Sequence, residues 1–172
     1  MADAAGFDEF YLATRGSLLR QLTAMTTDAE LAKDVLQEAY TRAWQRWSRV
    51  STFEDPQAWV RTVAWRLAVS QFRRRSVAQR FAGVLKGGTE EDAVGVEETW
   101  DVRSALRTVS PERRQAMVLH DLCGLSVEQV AAEAGVPVGT VKSRLSRGRA
   151  DLADVLGRDY LTDAPLTTEG PR

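Results

Sequence analysis

The sequence predicts an all-α protein made of two small helical domains joined by a flexible acidic linker. Apolar residues recur at steps of three and four in several segments, and no segment alternates apolar and polar residues as a strand would. The periodicity fades once, in a stretch rich in glycine and acidic residues. We therefore assign domains to residues 7–76 and 100–158, with a linker at 77–99 and a tail at 159–172 that we expect to be poorly ordered.

Two long helices are predicted at the start of the first domain. The first has an apolar face that runs from Phe7 to Met25. Thr27 and Glu30 have the spacing of a capping box, which predicts the start of the second helix. The apolar stripe of that helix continues to Trp47, whose helical spacing favours a place in the core over base stacking, as it does for Trp44. These two helices should pack together through their apolar faces.

A loop and a third helix complete the first domain. Polar residues predict a loop from Arg46 to Asp55. Asp55 and Pro56 then supply the N-cap and the first-turn proline of the third helix, which ends in a run of arginines at Arg75.

The second domain is predicted to begin with two helices that meet at Pro111 and to end in a helical hairpin. Ser126 and Gln129 cap the first helix of the hairpin, and Gly135 provides the left-handed residue of the turn. Pro137 opens the second helix. This is the order of a helix-turn-helix, whose second helix can enter the major groove of DNA.

A helical wheel divides the second helix of the hairpin into two faces. Val141, Leu145 and Gly148 point inward, and small, hydroxyl and basic residues point outward. A solvated surface helix is the alternative, but such a helix usually mixes acids with bases, and no acid occurs here before Asp151. We expect contacts to base edges from Lys142, Ser143, Ser146 and Arg147, and contacts to phosphates from Thr140, Arg144 and Arg149.

The charge distribution supports polyanion binding although the net charge of −1 does not. Residues 61–80 carry six arginines and no acid, whereas residues 81–101 carry six acids and one lysine. Residues 137–150 again carry only basic charges, four in all. Two basic segments therefore flank an acidic connector, a pattern that is also compatible with ordinary solvated faces.

Three segments resemble those of a known family. The stretch VSPERRQAMVLHDLCGLSVEQVAAEAGVPVGTVKSRLSRGRADL resembles the promoter-binding C-terminal domain of the extracytoplasmic-function (ECF) sigma factors of bacterial RNA polymerase, in particular the sigma-E-like group. AELAKDVLQEAYTRAWQRW is similar to the family's polymerase-binding helix, and DPQAWVRTVAWRLAVSQFRRR to its helix for the downstream promoter element. The segments follow one another in the family's order and at its spacing.

The resemblance implies a sigma factor that binds core RNA polymerase and directs promoter-specific initiation. The first domain, sigma region 2, would dock on core polymerase and capture the minus-ten element as a single strand. The second domain, sigma region 4, would hold the minus-thirty-five element as duplex. The positions that match the core-binding surface are Asp34, Gln37, Glu38 and Arg42.

The resemblance also implies a downstream-element surface on the third helix. The loop before that helix, Arg46 to Asp55, matches in position the family loop that receives a flipped promoter base, and a plain surface loop is the alternative. The expected residues are Arg61, Trp65, Arg66, Arg73 and Arg74. Among them Arg61 and Arg66 would pair with phosphates, and an exposed Trp65 would stack on an unpaired base. Trp65, Arg66 and Ser70 depart from the residues most common at the matching family positions, so the details of promoter melting do not transfer. Arg73 and Arg74 fit phosphate contact and helix C-terminal charge complementation equally.

Two other functional classes are alternatives to the sigma factor. One is a stand-alone helix-turn-helix regulator, which would bind promoter duplex without polymerase. The other is an enzyme, because His120, Asp121 and Cys123 superficially suggest a metal or thiol site. One histidine and one cysteine do not complete a structural zinc set, so we expect no metal, no cofactor and no catalytic residue.

The sequence also bears on compartment and partners. It has no apolar run of about 18 residues and no signal-peptide order at its N-terminus, and its single cysteine forms no internal disulfide, so we expect a cytoplasmic protein. The expected partners are core RNA polymerase and promoter DNA. Related factors are commonly held by an anti-sigma factor, which the sequence does not identify.

Overall fold

The computed structural model describes residues 4–83 and 102–157, and in these ranges the chain forms helices joined by short turns, without a strand. The all-α prediction is confirmed. The helices are α1 Ala4–Thr26, α2 Ala29–Gln45, α3 Trp47–Val50, α4 Pro56–Gly83, α5 Val102–Thr108, α6 Pro111–Met117, α7 Val127–Ala134 and α8 Val138–Leu156. A π-helical turn, Val118–Leu122, continues α6. None of the described helices is long and apolar enough to cross a membrane.

In the first domain, α1, α2 and α4 pack against one another around an apolar core. Leu18, Val35 and Val60, one from each helix, are almost fully buried. At one end of the domain an aromatic cluster joins α1 to α2 and α3, where the ring of Phe7 lies 5.0 Å from that of Trp44 and 5.3 Å from that of Trp47. The apolar faces predicted from the sequence are therefore the faces that meet.

The start of α2 differs from the prediction. The N-cap is Asp28, whose carboxylate accepts a hydrogen bond from the backbone N–H of Leu31 at 2.9 Å. Thr27 instead closes α1 by donating its N–H to the carbonyl of Thr23, in a left-handed conformation with φ 57°. The capping box of Thr27 with Glu30 is therefore wrong, because the adjacent carboxylate is the cap.

The segment predicted as a loop from Arg46 to Asp55 contains the short helix α3. The second helix ends at Gln45, and α3 buries Trp47 and Val50 in the domain core. Trp47 is thus a core residue as predicted, whereas Trp44 at the end of α2 is 40% exposed. Asp55 caps α4 as predicted, accepting from the N–H of Ala58 at 2.9 Å.

Helix α4 continues past the boundary at residue 76 that the sequence suggested. It runs to Gly83, because residues 77–82 contain neither proline nor glycine and nothing in them interrupts a helix. The glycine-rich acidic linker and the C-terminal tail lie outside the described residues, apart from this helical extension.

In the second domain α8 packs against α5, α6 and α7. Val109, Leu119, Val130 and Val141 are almost completely buried in its core. The run Ala116–Leu119 is buried throughout, so α6 and the π-helical turn are covered on several sides. A helix that is buried on all sides needs packing partners on each side, more than the rest of this small domain supplies.

Those neighbours belong to the first domain. The end of α1 packs on α6 and the π-helical turn, and α4 packs on α7. Arg114 of α6 crosses this boundary and donates from Nε to the carbonyl of Met25 at 2.6 Å. The buried residues of the two domains consequently form one continuous cluster.

Candidate nucleic-acid interface

Helices α7 and α8 form the predicted helix-turn-helix. The hydroxyl of Ser126 accepts from the N–H of Gln129 while the Gln129 side chain accepts from the N–H of Ser126, so the capping box is present in full. Gly135 follows α7 with φ 67°, a left-handed conformation that favours glycine. Pro137 is the N-cap of α8. Local sequence signals thus fix the angle at which α8 is presented.

The inward and outward faces predicted for α8 agree with the observed burial of its residues. Val141, Leu145 and Gly148 are buried against the rest of the domain. The outward residues divide into an exposed set, Lys142, Ser143, Ser146, Arg147 and Arg149, and a half-buried set, Thr140 and Arg144. The helix therefore presents a strip of basic and hydroxyl side chains to solvent, the chemistry that contacts base edges and phosphates.

Two of these outward residues have partners within the protein. The hydroxyl of Ser143 donates to the carbonyl of Thr140 at 3.0 Å, which leaves its lone pairs available. Arg149 donates to the carboxylate of Asp121 at 2.6 Å, in an ion pair whose side chains are both about half exposed. Such a pair contributes little stability and opens easily, so the guanidinium stays within reach of a phosphate.

The four residues predicted to bind polymerase lie together on the exposed side of α2. Asp34, Gln37, Glu38 and Arg42 are all exposed, opposite the buried stripe of the same helix. Glu38 accepts from Nε of Arg42 at 2.8 Å, one turn apart. The surface is polar and mixed in charge, and none of it is needed for the core.

Helix α4 departs from the prediction in the middle of the downstream-element surface. Trp65, expected to be exposed, is only 7% exposed, and Arg61 is 3% exposed. The remaining members, Arg66, Arg73 and Arg74, are exposed. The expectation of an exposed Trp65 is therefore wrong for this conformation, because α4 is covered there by the second domain.

Arg61 is held by side chains from two other helices. Its Nε and Nη2 donate to both carboxylate oxygens of Glu133 at 2.7 and 2.6 Å, and its Nη1 donates to Gln21 at 3.1 Å. Burial alone would lower the pKa of Arg61, but the hydrogen bonds and negative charge of Glu133 outweigh it, and the pKa is raised. The guanidinium is thus charged, paired and out of reach of a phosphate in this conformation.

The single histidine lies in the π-helical turn before α7, and the single cysteine directly follows that turn. Nδ1 of His120 lies 2.7 Å from the carbonyl of Leu125, and burial raises the pKa of the Cys123 thiol. In residues 4–83 and 102–157 no three histidine, cysteine, aspartate or glutamate side chains are grouped as metal ligands.

Comparison with known proteins settles the family. Residues 10–77 match the family described as Sigma-70 region 2, and residues 99–152 match Sigma-70, region 4. The ECF RNA polymerase sigma factor SigL of Mycobacterium tuberculosis is 33% identical over 155 residues, covering 84% of this chain and 85% of that protein. The chain belongs to the ECF sigma factors. The RNA polymerase sigma-E factor of Streptomyces coelicolor is 28% identical to this sigma factor over 159 residues, covering 91% of this chain and 89% of that protein.

A solved sigma factor has the same architecture. RpoE of Bartonella quintana, in complex with the anti-sigma factor NepR, superposes with a TM-score of 0.72 at 25% identity, covering 88% of this chain and 96% of that one. The function predicted from the sequence is confirmed: this sigma factor binds core RNA polymerase and directs promoter-specific initiation. A stand-alone regulator is disfavoured because such a protein has no use for region 2.

The sequence reasoning missed three residues at the domain boundary of this sigma factor. Gln21 and Glu133 hold Arg61, and Arg114 joins α6 to the end of α1. One signal was available, since the four consecutive apolar residues Ala116–Leu119 indicate a helix covered on more than one side. Nothing in the local sequence identifies which helix covers it.

Proposed function

We propose that this sigma factor reads the minus-thirty-five element with the outward strip of α8. The supporting observation is a capped helix-turn-helix whose second helix exposes basic and hydroxyl residues and carries no acid before Asp151. Small and flexible outward side chains allow the backbone to approach the groove. Lys142, Ser143, Ser146 and Arg147 would contact base edges, and Thr140, Arg144 and Arg149 would contact phosphates.

The proposal extends to the first domain, residues 7–76. Asp34, Gln37, Glu38 and Arg42 would bind core polymerase through the exposed side of α2. The exposed Arg66, Arg73 and Arg74 would bind the minus-ten element, joined by Arg61 and Trp65 once the second domain has moved away from α4.

We further infer a non-catalytic, cytoplasmic initiation subunit, since core polymerase carries the chemistry and the relatives named above are sigma factors. An anti-sigma factor is a proposed additional partner. Its support is the superposition over 88% of the chain on a sigma factor bound to such an inhibitor.

Run-off transcription with purified core polymerase over a genomic promoter library tests the proposal. We expect specific transcripts only when this protein and core are both present, and a shared sequence upstream of their start sites. Gel-shift binding to the selected promoters without core serves as the control for a stand-alone regulator. Specific duplex binding by the free protein, together with no effect on run-off transcription, would reject the assignment of a sigma factor.

A further inference from the structure

We propose that the free protein is self-inhibited by a latch between its two domains, formed by Arg61 of α4 and Glu133 of α7. The latch withholds Arg61 and Trp65 of the minus-ten surface until core polymerase separates the domains. The proposal rests on the proposed function in one respect, the assignment of α4 to the minus-ten element. The existence of the closed form does not depend on that assignment.

The geometry of the ion pair is that of a specific contact. The guanidinium and the carboxylate meet through two parallel hydrogen bonds, at 2.7 and 2.6 Å, and the two side chains are only 4% and 8% exposed. A surface ion pair formed by chance is seldom bidentate and dry. The residues are 72 positions apart, and Gln21 of α1 supplies a third hydrogen bond to Arg61.

A second polar contact joins the two domains. Arg114 is 4% exposed, and it donates to the carbonyl of Met25 at the end of α1 and to the carbonyl of Leu106 within its own domain, at 2.6 and 2.8 Å. Burial lowers the pKa of Arg114. One guanidinium thus binds a backbone carbonyl from each domain. Around these polar contacts the two apolar cores are continuous.

The closed arrangement covers α4 selectively. Trp65 and Arg61 are buried beneath the second domain, and a cleft of about 350 Å³ between Trp65, Arg66, Glu133 and Ala134 is the space that remains. The carboxylate of Glu133 pairs with the Arg61 guanidinium, which is the group that would bind a phosphate. The outward strip of α8 remains exposed. Closure therefore blocks minus-ten binding by a direct competition for Arg61.

Promoter geometry requires the latch to open. The minus-ten and minus-thirty-five elements are about 25 base pairs apart, which is about 85 Å along B-form DNA. A compact chain of this length has a radius of gyration of about 16 Å, hence a diameter of about 40 Å. One closed molecule cannot span both elements, so the contacts of Arg61 and Arg114 must break during assembly of the promoter complex.

The test compares Glu133→Gln with wild type as free full-length proteins. The substitution keeps the size of the side chain and removes its charge, which weakens the latch. We expect small-angle X-ray scattering to give a compact wild type and a radius of gyration several ångströms larger for the variant. The apparent Kd for core polymerase should fall by about 3- to 30-fold, because it scales inversely with the open fraction. Holoenzyme activity at saturating core should not change.

Glu128→Gln is the matched control, since it removes an exposed carboxylate from the same helix; it should behave as wild type in both measurements. Far-UV circular dichroism checks folding. If Glu133→Gln fails to fold, Ala134→Arg replaces it, placing a positive charge across the cleft from Arg66 and Arg73. An unchanged radius of gyration or an unchanged Kd in the folded variant overturns the proposal. Wild-type transcription tests the sigma function separately, so the two failures are distinguishable.

Discussion

Gly148 of α8 lies directly against the side chain of Met117 of α6. A Cβ at position 148 would stand 2.5 Å from Sδ of Met117, closer than real atoms approach, and 3.3 Å from Cβ of Arg113, a tight contact. The absence of a side chain at this position lets α8 approach α6, and α6 thereby supports the helix that carries the DNA-facing strip.

Gly148→Ala is expected to destabilise the protein by about 1–3 kcal/mol, the usual cost of forcing an extra methyl group into a packed interior. The clash falls on a flexible methionine and on the first side-chain atom of an arginine, so part of it relaxes and part does not. Urea unfolding followed by circular dichroism measures the change in free energy.

Gly139→Ala is the matched control on the same helix. Nothing lies within 4 Å of a Cβ at this position, and alanine favours helix by up to about 1 kcal/mol over glycine. This variant should be as stable as wild type or more so. Equal destabilisation by both substitutions would show that the contact with Met117 is not the cause of the loss at position 148.

Arg114→Lys should destabilise the protein although it preserves the charge. The planar guanidinium donates in two directions, to Met25 and to Leu106, and a single ammonium group cannot reproduce that arrangement. We expect a loss of about 1–3 kcal/mol in the free energy of unfolding, the range for an unsatisfied buried polar group.

Arg113→Lys, at the neighbouring position, tests whether the buried geometry is the cause. Arg113 is partly exposed and pairs with Asp151 at 2.7 Å, an interaction that lysine can replace. The free energy of unfolding of the Arg113→Lys variant should differ from that of wild type by less than about 0.5 kcal/mol. A similar loss in both variants would argue against a special role for the carbonyl contacts of Arg114.

The features predicted correctly are those encoded within a few residues of sequence. Ser126 with Gln129 and Gly135 define the helix-turn-helix locally, and the wheel places Val141 inward because helical spacing alone decides it. The sequence predicts Thr27 as the cap because Thr27 satisfies the same local rule as Asp28, one position away. Only the backbone conformation of the turn distinguishes the two residues.

The error at Trp65 has a different origin. Its burial comes from a second domain whose contacting residues, such as Glu133, are distant in the chain. The spacing of apolar residues within α4 carries no information about that second domain. The pairing of Arg61 with Glu133 was unpredictable for the same reason, since a pattern that suits phosphate binding also suits a buried carboxylate.

Asp34→Ala combined with Glu38→Ala should weaken binding to core polymerase with little effect on the fold. Both carboxylates are exposed, and the ion pair of Glu38 with Arg42 lies on the surface, where its removal costs less than about 1 kcal/mol. A competition assay against a labelled sigma factor measures the affinity. The double variant Glu9→Ala/Asp154→Ala removes one exposed carboxylate from α1 and one from α8, and it should retain wild-type affinity. Equal affinity of both double variants would move the polymerase-binding surface away from this side of α2.

The last prediction distinguishes base contacts from phosphate contacts on α8. Arg147 is exposed beside the outward strip and has no side-chain partner in the described part of the chain, so its guanidinium is free to donate two parallel bonds to a guanine edge. Arg147→Ala should weaken the free energy of binding by about 1–3 kcal/mol at promoters that carry the preferred base. It should also relax base discrimination at that one promoter position.

Arg144→Ala is the matched variant for phosphate binding. Arg144 is half-buried on the flank of α8, where it would follow the DNA backbone and not the bases. Loss of this side chain should weaken binding to all promoters by a similar factor. It should also reduce the slope of log affinity against log salt by about one unit. The measurement uses the holoenzyme, single-base variants of one promoter and a salt titration for each protein. If both variants weakened every promoter equally, Arg147 would also contact phosphate, and the base-reading face of α8 would have to be rotated towards Lys142 or Ser146.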